Sequence, residues 1–256
     1  MFAPSLLQPL NSWAKEDHLK ICAGVDIGGS GLRIRLSNAT NKNELIDIPH
    51  IRAQSTRDAV SSFQSLQDAL DELVPGFECC GAALAVAGPI KEGVVILTNW
   101  PGDPNVRTLS LDSLPQKLFP KARTVLLNDL EAGAYGVIAA DETHELEGHF
   151  EQLWDQVAPK GPVVSNTRTA VMALGSGLGV AIIVKTPLIK EPLVLPTEIG
   201  HLQVPAVCAE DPNSQEEYAL IQHVSNHYYN GTQMPEYEDF SSGRGIQLCY
   251  QFFLQR

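Results

Sequence analysis

The chain has little of what staples or anchors a protein. Its 256 residues include only five cysteines, Cys22, Cys79, Cys80, Cys208 and Cys249, with no Cys-x-x-Cys pair and no metal-site spacing to histidine. That usage predicts reduced, mostly core thiols in a reducing compartment, not a disulfide scaffold. No stretch approaches the 18 apolar residues of a membrane span. Met1 to Lys20 lacks the basic start and continuous apolar run of a secretory signal. No membrane partner is expected, and the cytoplasm is the expected compartment. No Lys/Arg run occurs and the net charge is −12. A nucleic-acid binder would normally carry a basic patch, so small molecules are the expected partners. What is present, 44% hydrophobic and 19% charged residues, suits an ordinary globular protein long enough for two modest domains.

One tetrapeptide, Gly-Ser-Gly-Leu, occurs twice, at Gly29–Leu32 and Gly175–Leu178. Each copy is flanked by apolar runs and reads as a β-hairpin with a bare-backbone tip. Such a tip can be only a turn. It can also approach a phosphate closely and offer it N–H donors. Two tips suggest a duplicated domain with a polyphosphate held between the halves. Asp26 precedes the first tip, and a carboxylate beside a phosphate cradle needs a cation between them. Mg²⁺, which takes one or two carboxylates with substrate phosphates, suits that place.

Periodicity orders the rest. Residues 1–20 read as a loose or helical arm and Ile21 to Val25 as a strand. Leu32 to Leu36 and Leu45 to Ile51 continue a meander. A helix opens at Thr56, carries apolar residues at helical spacing from Ala59 to Leu73, and ends at Pro75-Gly76. Gly81 to Ala87 is a continuous apolar run, predicting a strand buried on both faces. A hairpin turns near Lys91-Glu92-Gly93. Thr124 to Leu127 is a short buried strand delivering Asn128-Asp129 to a helix over Glu131 to Ala140. Asp141 to Thr169 is polar and reads as a linker. Thr169 to Val184 is the second glycine hairpin, and Leu193 to Val204 holds the polar cluster Thr197-Glu198-Ile199-Gly200-His201. Helices follow over Glu216 to Tyr228 and Ile246 to Leu254. The order fits two α/β halves facing a cleft.

Five motifs in series carry a resemblance. They are Asp26-Ile27-Gly28-Gly29-Ser30, Leu127-Asn128-Asp129-Leu130-Glu131-Ala132, Leu174-Gly175-Ser176-Gly177-Leu178-Gly179, Glu198-Ile199-Gly200-His201, and Glu238 through Gly245. Together they resemble the glucokinases of the bacterial and trypanosomatid type, in the actin-like ATPase superfamily, over roughly Ile21 to Phe252. The resemblance implies an α/β, actin-like (ribonuclease H-like) two-domain sugar kinase fold, divided as 1–127 and 128–256, with the second domain incomplete. It implies ATP-dependent phosphorylation of glucose, with ATP and Mg²⁺ as cofactors and room for a homodimer.

By the same resemblance Asp129 is the general base. A sugar hydroxyl is a poor nucleophile, and a carboxylate accepting its proton contributes on the order of 10²–10⁴-fold. Asn128-Asp129 can equally be a helix N-cap, and the two roles are compatible. Asn99, Asn128, Glu198, His201 and Glu238 would hold sugar hydroxyls, which both donate and accept. Gly28, Gly29, Ser30, Gly175, Ser176 and Gly177 would cradle phosphates, and Asp26 would orient Mg²⁺ through water. For His201 the other readings are a core histidine or a zinc ligand, with Cys208 the nearby thiol. For Glu238 the other reading is a solvated charge among Glu236 and Asp239.

Departures from the family pattern are informative. Ser30 and Ser176 stand where threonines are usual, and keep the hydroxyl. Ile199 replaces a glycine, which a position needing positive φ would reject. The family continues well beyond the helix that ends near Arg256, so the expected adenosine side is partial and apolar surface is left uncovered. The rival functions are a non-catalytic sugar-binding or regulatory protein, and a kinase for mannose or N-acetylglucosamine.

Overall fold

The computed structural model describes residues 8–13, 18–41, 43–146, 150–151, 153, 163–205 and 212–255. Much of the predicted linker and Cys208 lie outside them, as do most of residues 1–20. Two compact units divide the chain, Met1–Ala132 and Gly133–Arg256. The division falls within a helix, Asp129–Glu142.

The first unit is built on a five-stranded mixed sheet. β1 (Lys20–Gly28), β2 (Gly31–Asn38) and β3 (Leu45–Ile51) form an antiparallel meander. α1 (Thr56–Leu73) then returns the chain to β4 (Glu78–Val86), parallel to β1. Three short strands follow, β5 (Ile90–Lys91), β6 (Val94–Ile96) and β7 (Thr108–Ser110), pairing with one another, and the short helix α2 (Pro104–Arg107) lies between the last two. β8 (Thr124–Asn128) adds in parallel beyond β4, so the large sheet runs β3-β2-β1-β4-β8.

Period-2 alternation makes these strands. β1 buries Ile21, Ala23, Val25 and Ile27 while their neighbours face out. α1 is capped by Ser55, whose hydroxyl accepts from the Asp58 N–H at 3.1 Å. It buries Ala59, Phe63, Leu66, Ala69 and Leu70, one stripe at i, i+3, i+4 spacing. Phe63 meets Phe119 edge-on, centroids 4.9 Å apart, inside the unit's apolar core.

The second unit holds another meander, β9 (Arg168–Leu174), β10 (Leu178–Thr186) and β11 (Ile189–Thr197), in the order β11-β10-β9. α3 (Asp129–Glu142) precedes it. α4 (Ser214–Tyr229), α5 (Glu238–Ser241) and α6 (Gly243–Leu254) follow it.

Several expectations are corrected. β11 (Ile189–Thr197) is not expected as a strand from sequence: Leu193 to Val204 stands out only for its polar cluster at 197–201, and Pro192 and Pro196 disguise the strand before it. Proline cannot donate to a ladder, but β11 is an edge strand and tolerates it. β4 starts earlier than expected and buries one face fully and the other only partly. β8 buries only Thr124. Of the four described cysteines, only Cys79 is buried. Cys22 points outward because it alternates with the core residues of β1, and Cys79 does carry the apolar burial expected, its thiol pushed up to about 11 by desolvation.

Candidate functional site

In the first unit the tip is a two-residue loop, Gly29-Ser30, closed by the Gly28–Gly31 pair. Gly31 has φ +138°, and a side chain there would run into the Ile51 carbonyl oxygen, so only glycine fits. Buried Trp100 donates its indole N–H to the Gly28 carbonyl at 2.9 Å, and the Asn99 backbone lies against Gly29. Asn99 thus sits beside the tip. Asp26 faces Arg33 across the hairpin and accepts from it at 2.8 Å. That partner is readable in retrospect, since a two-residue turn after Gly28 places residues 26 and 33 opposite each other.

At the end of β8, Asn128 caps α3. Its carboxamide oxygen accepts the Leu130 N–H at 3.0 Å, and Glu131 accepts the Asn128 N–H at 3.3 Å, a reciprocal capping box. The N-cap reading of this segment therefore holds. Asp129 is exposed and takes the same Leu130 N–H on one oxygen at 2.8 Å. The cap fixes the backbone from which its carboxylate projects.

The second unit assembles a denser cluster. The tip Gly175-Ser176-Gly177 is folded by the Gly175 N–H to Gly177 carbonyl bond at 3.0 Å, and the Gly243 N–H at the start of α6 binds the Gly175 carbonyl at 2.9 Å. Glu238 lies against this tip and accepts the Leu178 N–H at 3.5 Å. His201 stands 3.9 Å from Glu238 through Nδ1 and 3.9 Å from Glu198 through Nε2, and its Nδ1 is 2.8 Å from Glu236. The hydrogen bond to Glu236 holds the imidazole above the ordinary histidine value, against burial and with help from the charges of Glu238, Glu236 and Glu198. Glu198, His201 and Glu238 are thus brought together.

Glu238 is no solvated charge, because its side chain is only 16% exposed. Asp239 is 1% exposed. It accepts the Tyr229 hydroxyl at 2.7 Å and the Glu236 N–H at 2.9 Å, and Arg244 spans Asp239 and Glu238 at 3.3 and 3.4 Å. Donation to Asp239 pushes the Tyr229 phenol up to about 12, with burial adding. Glu236, Asp239, Arg244 and Tyr229 were not foreseen as site residues. Ile199 has no positive φ, so the glycine it replaces was not required there. The following Gly200 is required, since a side chain would strike the Leu178 carbonyl.

The Glucokinase family model matches residues 23–256. The chain belongs to the glucokinase family. It is 54% identical to probable glucokinase 2 of Trichomonas vaginalis, over 100% of this chain and 68% of that one. It is 52% identical to glucokinase 1 of the same organism, over 99% and 68%. Among solved structures it resembles Balamuthia mandrillaris glucokinase in complex with glucose, with TM-score 0.79 and 32% identity over 100% of this chain and 69% of that one. The glucokinase-family chain shares the actin-like α/β fold of that structure.

Proposed function

We propose that this chain transfers the terminal phosphoryl group of ATP to the 6-hydroxyl of glucose. The observation that carries the reading is the polar cluster of the second unit. Two carboxylates and an imidazole, Glu198, Glu238 and His201, gather together, and Glu238 lies against the Gly175–Gly177 tip. Groups that accept and donate suit sugar hydroxyls, and bare backbone suits phosphate. The Trichomonas vaginalis relatives are named glucokinases, which supports the same reading.

In this reading Asp129 accepts the proton of the attacking hydroxyl. Asn128, its oxygen engaged in the helix cap, would offer its NH₂ to the sugar, and Asn99 would be a further sugar contact. Gly28, Gly29, Ser30, Gly175, Ser176 and Gly177 cradle the phosphates through backbone N–H groups and hydroxyls. Asp26 fits a water-mediated Mg²⁺ role. It is a single carboxylate with a side chain 44% exposed, partly engaged by Arg33, and Mg²⁺ keeps several waters. Bound Mg²⁺ supplies neutralisation of charge on the phosphates. Sugar binding would exclude water and limit ATP hydrolysis.

The test is a titration of purified chain with glucose, mannose and N-acetylglucosamine, read by tryptophan fluorescence, alongside hexose 6-phosphate formation with Mg·ATP. Saturable glucose binding with product supports the reading. Turnover favouring another hexose reassigns the substrate, and folded protein inert to all three contradicts a sugar kinase.

A further inference from the structure

Glu236 belongs to none of the five motifs, yet it makes the shortest contact to His201. Its position is built. The segments 202–204 and 235–237 run antiparallel, joined by Tyr237 N–H to Leu202 carbonyl and Val204 N–H to Pro235 carbonyl bonds, both 3.0 Å, with Gln203 paired to Glu236. The Glu236 backbone N–H is further held by buried Asp239 at 2.9 Å, and Asp239 is anchored by Tyr229. Glu236 is therefore fixed at both backbone and side chain, its carboxylate 2.8 Å from Nδ1.

We infer that Glu236 is a positioning residue: by accepting the Nδ1–H of His201 it sets the ring's tautomer and orientation and turns Nε2 toward the sugar hydroxyl. This rests on the glucokinase reading of the site. A neutral imidazole has one donor and one acceptor nitrogen, and the partner of one decides what the other presents. A carboxylate at Nδ1 makes Nε2 the acceptor. Orienting partners of this kind are typically worth about 10–100-fold in affinity at metal-bound histidines, and a sugar contact should lie at the lower end. The other charged groups facing the ring are Glu198 at the end of β11 and Glu238 on α5, with Arg244 of α6 paired to Glu238. None of these reaches Nδ1 within hydrogen-bond distance.

The experiment compares wild type, Glu236→Gln and Glu236→Ala as full chains. Ring-nitrogen NMR of labelled histidine reads the tautomer and titration of His201, assigned by its loss in His201→Gln. Steady-state kinetics read kcat and glucose KM. In wild type the neutral ring carries its proton on Nδ1. Glu236→Gln keeps that tautomer, because the amide oxygen still accepts, but His201 titrates at lower pH. Glu236→Ala loses the preference and raises glucose KM about tenfold, with kcat changing less. A merely structural role would lower folded protein and apparent kcat together and leave the titration, tautomer and KM unmoved. Wild-type Nε2–H, an unchanged tautomer and titration in Glu236→Ala, or an unchanged KM in Glu236→Ala each overturns the inference. If wild type shows no glucose binding or turnover, the sugar-kinase reading fails separately, while the ring titration still decides the pairing.

Discussion

Removing the Asp239 carboxylate should destabilise the polar cluster of the second unit before it touches any reacting group. Asp239 is 1% exposed and accepts from three donors: Tyr229, the Glu236 backbone and Arg244. A hydrogen bond to a charged group contributes about 1.5–3 kcal/mol. Two of the three are short, and the third is long and reaches an arginine 53% exposed, so it adds little. Asp239→Ala also leaves the Glu236 N–H without its acceptor. The expected loss is about 3–6 kcal/mol, that of two such hydrogen bonds to a buried charge. Asp239→Asn, which can still accept one donor, should lose about half of that. Urea unfolding followed by near-ultraviolet circular dichroism gives the stabilities. An ultraviolet difference titration gives an independent check: the phenol of Tyr229, pushed up to about 12 in wild type, should fall toward the ordinary tyrosine value in both variants. An Asp239→Ala chain within about 1 kcal/mol of wild type, a loss no larger than an average substitution, would refute the reasoning. So would an unchanged phenol titration.

Other outcomes follow from the same geometry. Gly200→Ala should cost about 1–3 kcal/mol, because its methyl would meet the Leu178 carbonyl; an unchanged urea midpoint would contradict that. Glu131→Ala removes half of the capping box and should cost about 0.3–1.5 kcal/mol, read in the same way. His201 is raised in the folded chain by Glu236, so the stability from that pair is full below the unfolded histidine value, about 6.5. It declines as pH rises through the higher folded value. The difference in urea midpoint between wild type and Glu236→Gln should therefore shrink from mildly acidic to mildly alkaline pH, and a difference that grows would contradict the sign.

Most of the fold was legible because it depends on local rules. Alternation gave β1 and β2, helical spacing gave α1, and glycine pairs gave both tips. β11 was lost because its prolines argue against a strand, and only its place at a sheet edge makes them acceptable. Parity was needed to see that Cys22 faces out while Cys79 faces in. At the site, the resemblance of the motifs to the glucokinase family pointed to Glu198, His201 and Glu238, and the structure gathers those three. It could not point to Glu236 or Asp239. Their role comes from an antiparallel pairing between 202–204 and 235–237, segments separated by α4. A run such as Glu236-Tyr237-Glu238-Asp239 looks like a solvated surface until one carboxylate proves buried.

The measurement that tests the central claim most directly is glucose 6-phosphate formation by wild type and Asp129→Asn, with glucose affinity measured on the same samples. Wild type should form product, and kcat should fall on the order of 10²–10⁴-fold in Asp129→Asn, with glucose binding largely kept. A variant that turns over as fast as wild type, or a folded wild type that binds glucose and forms no product, would contradict the claim.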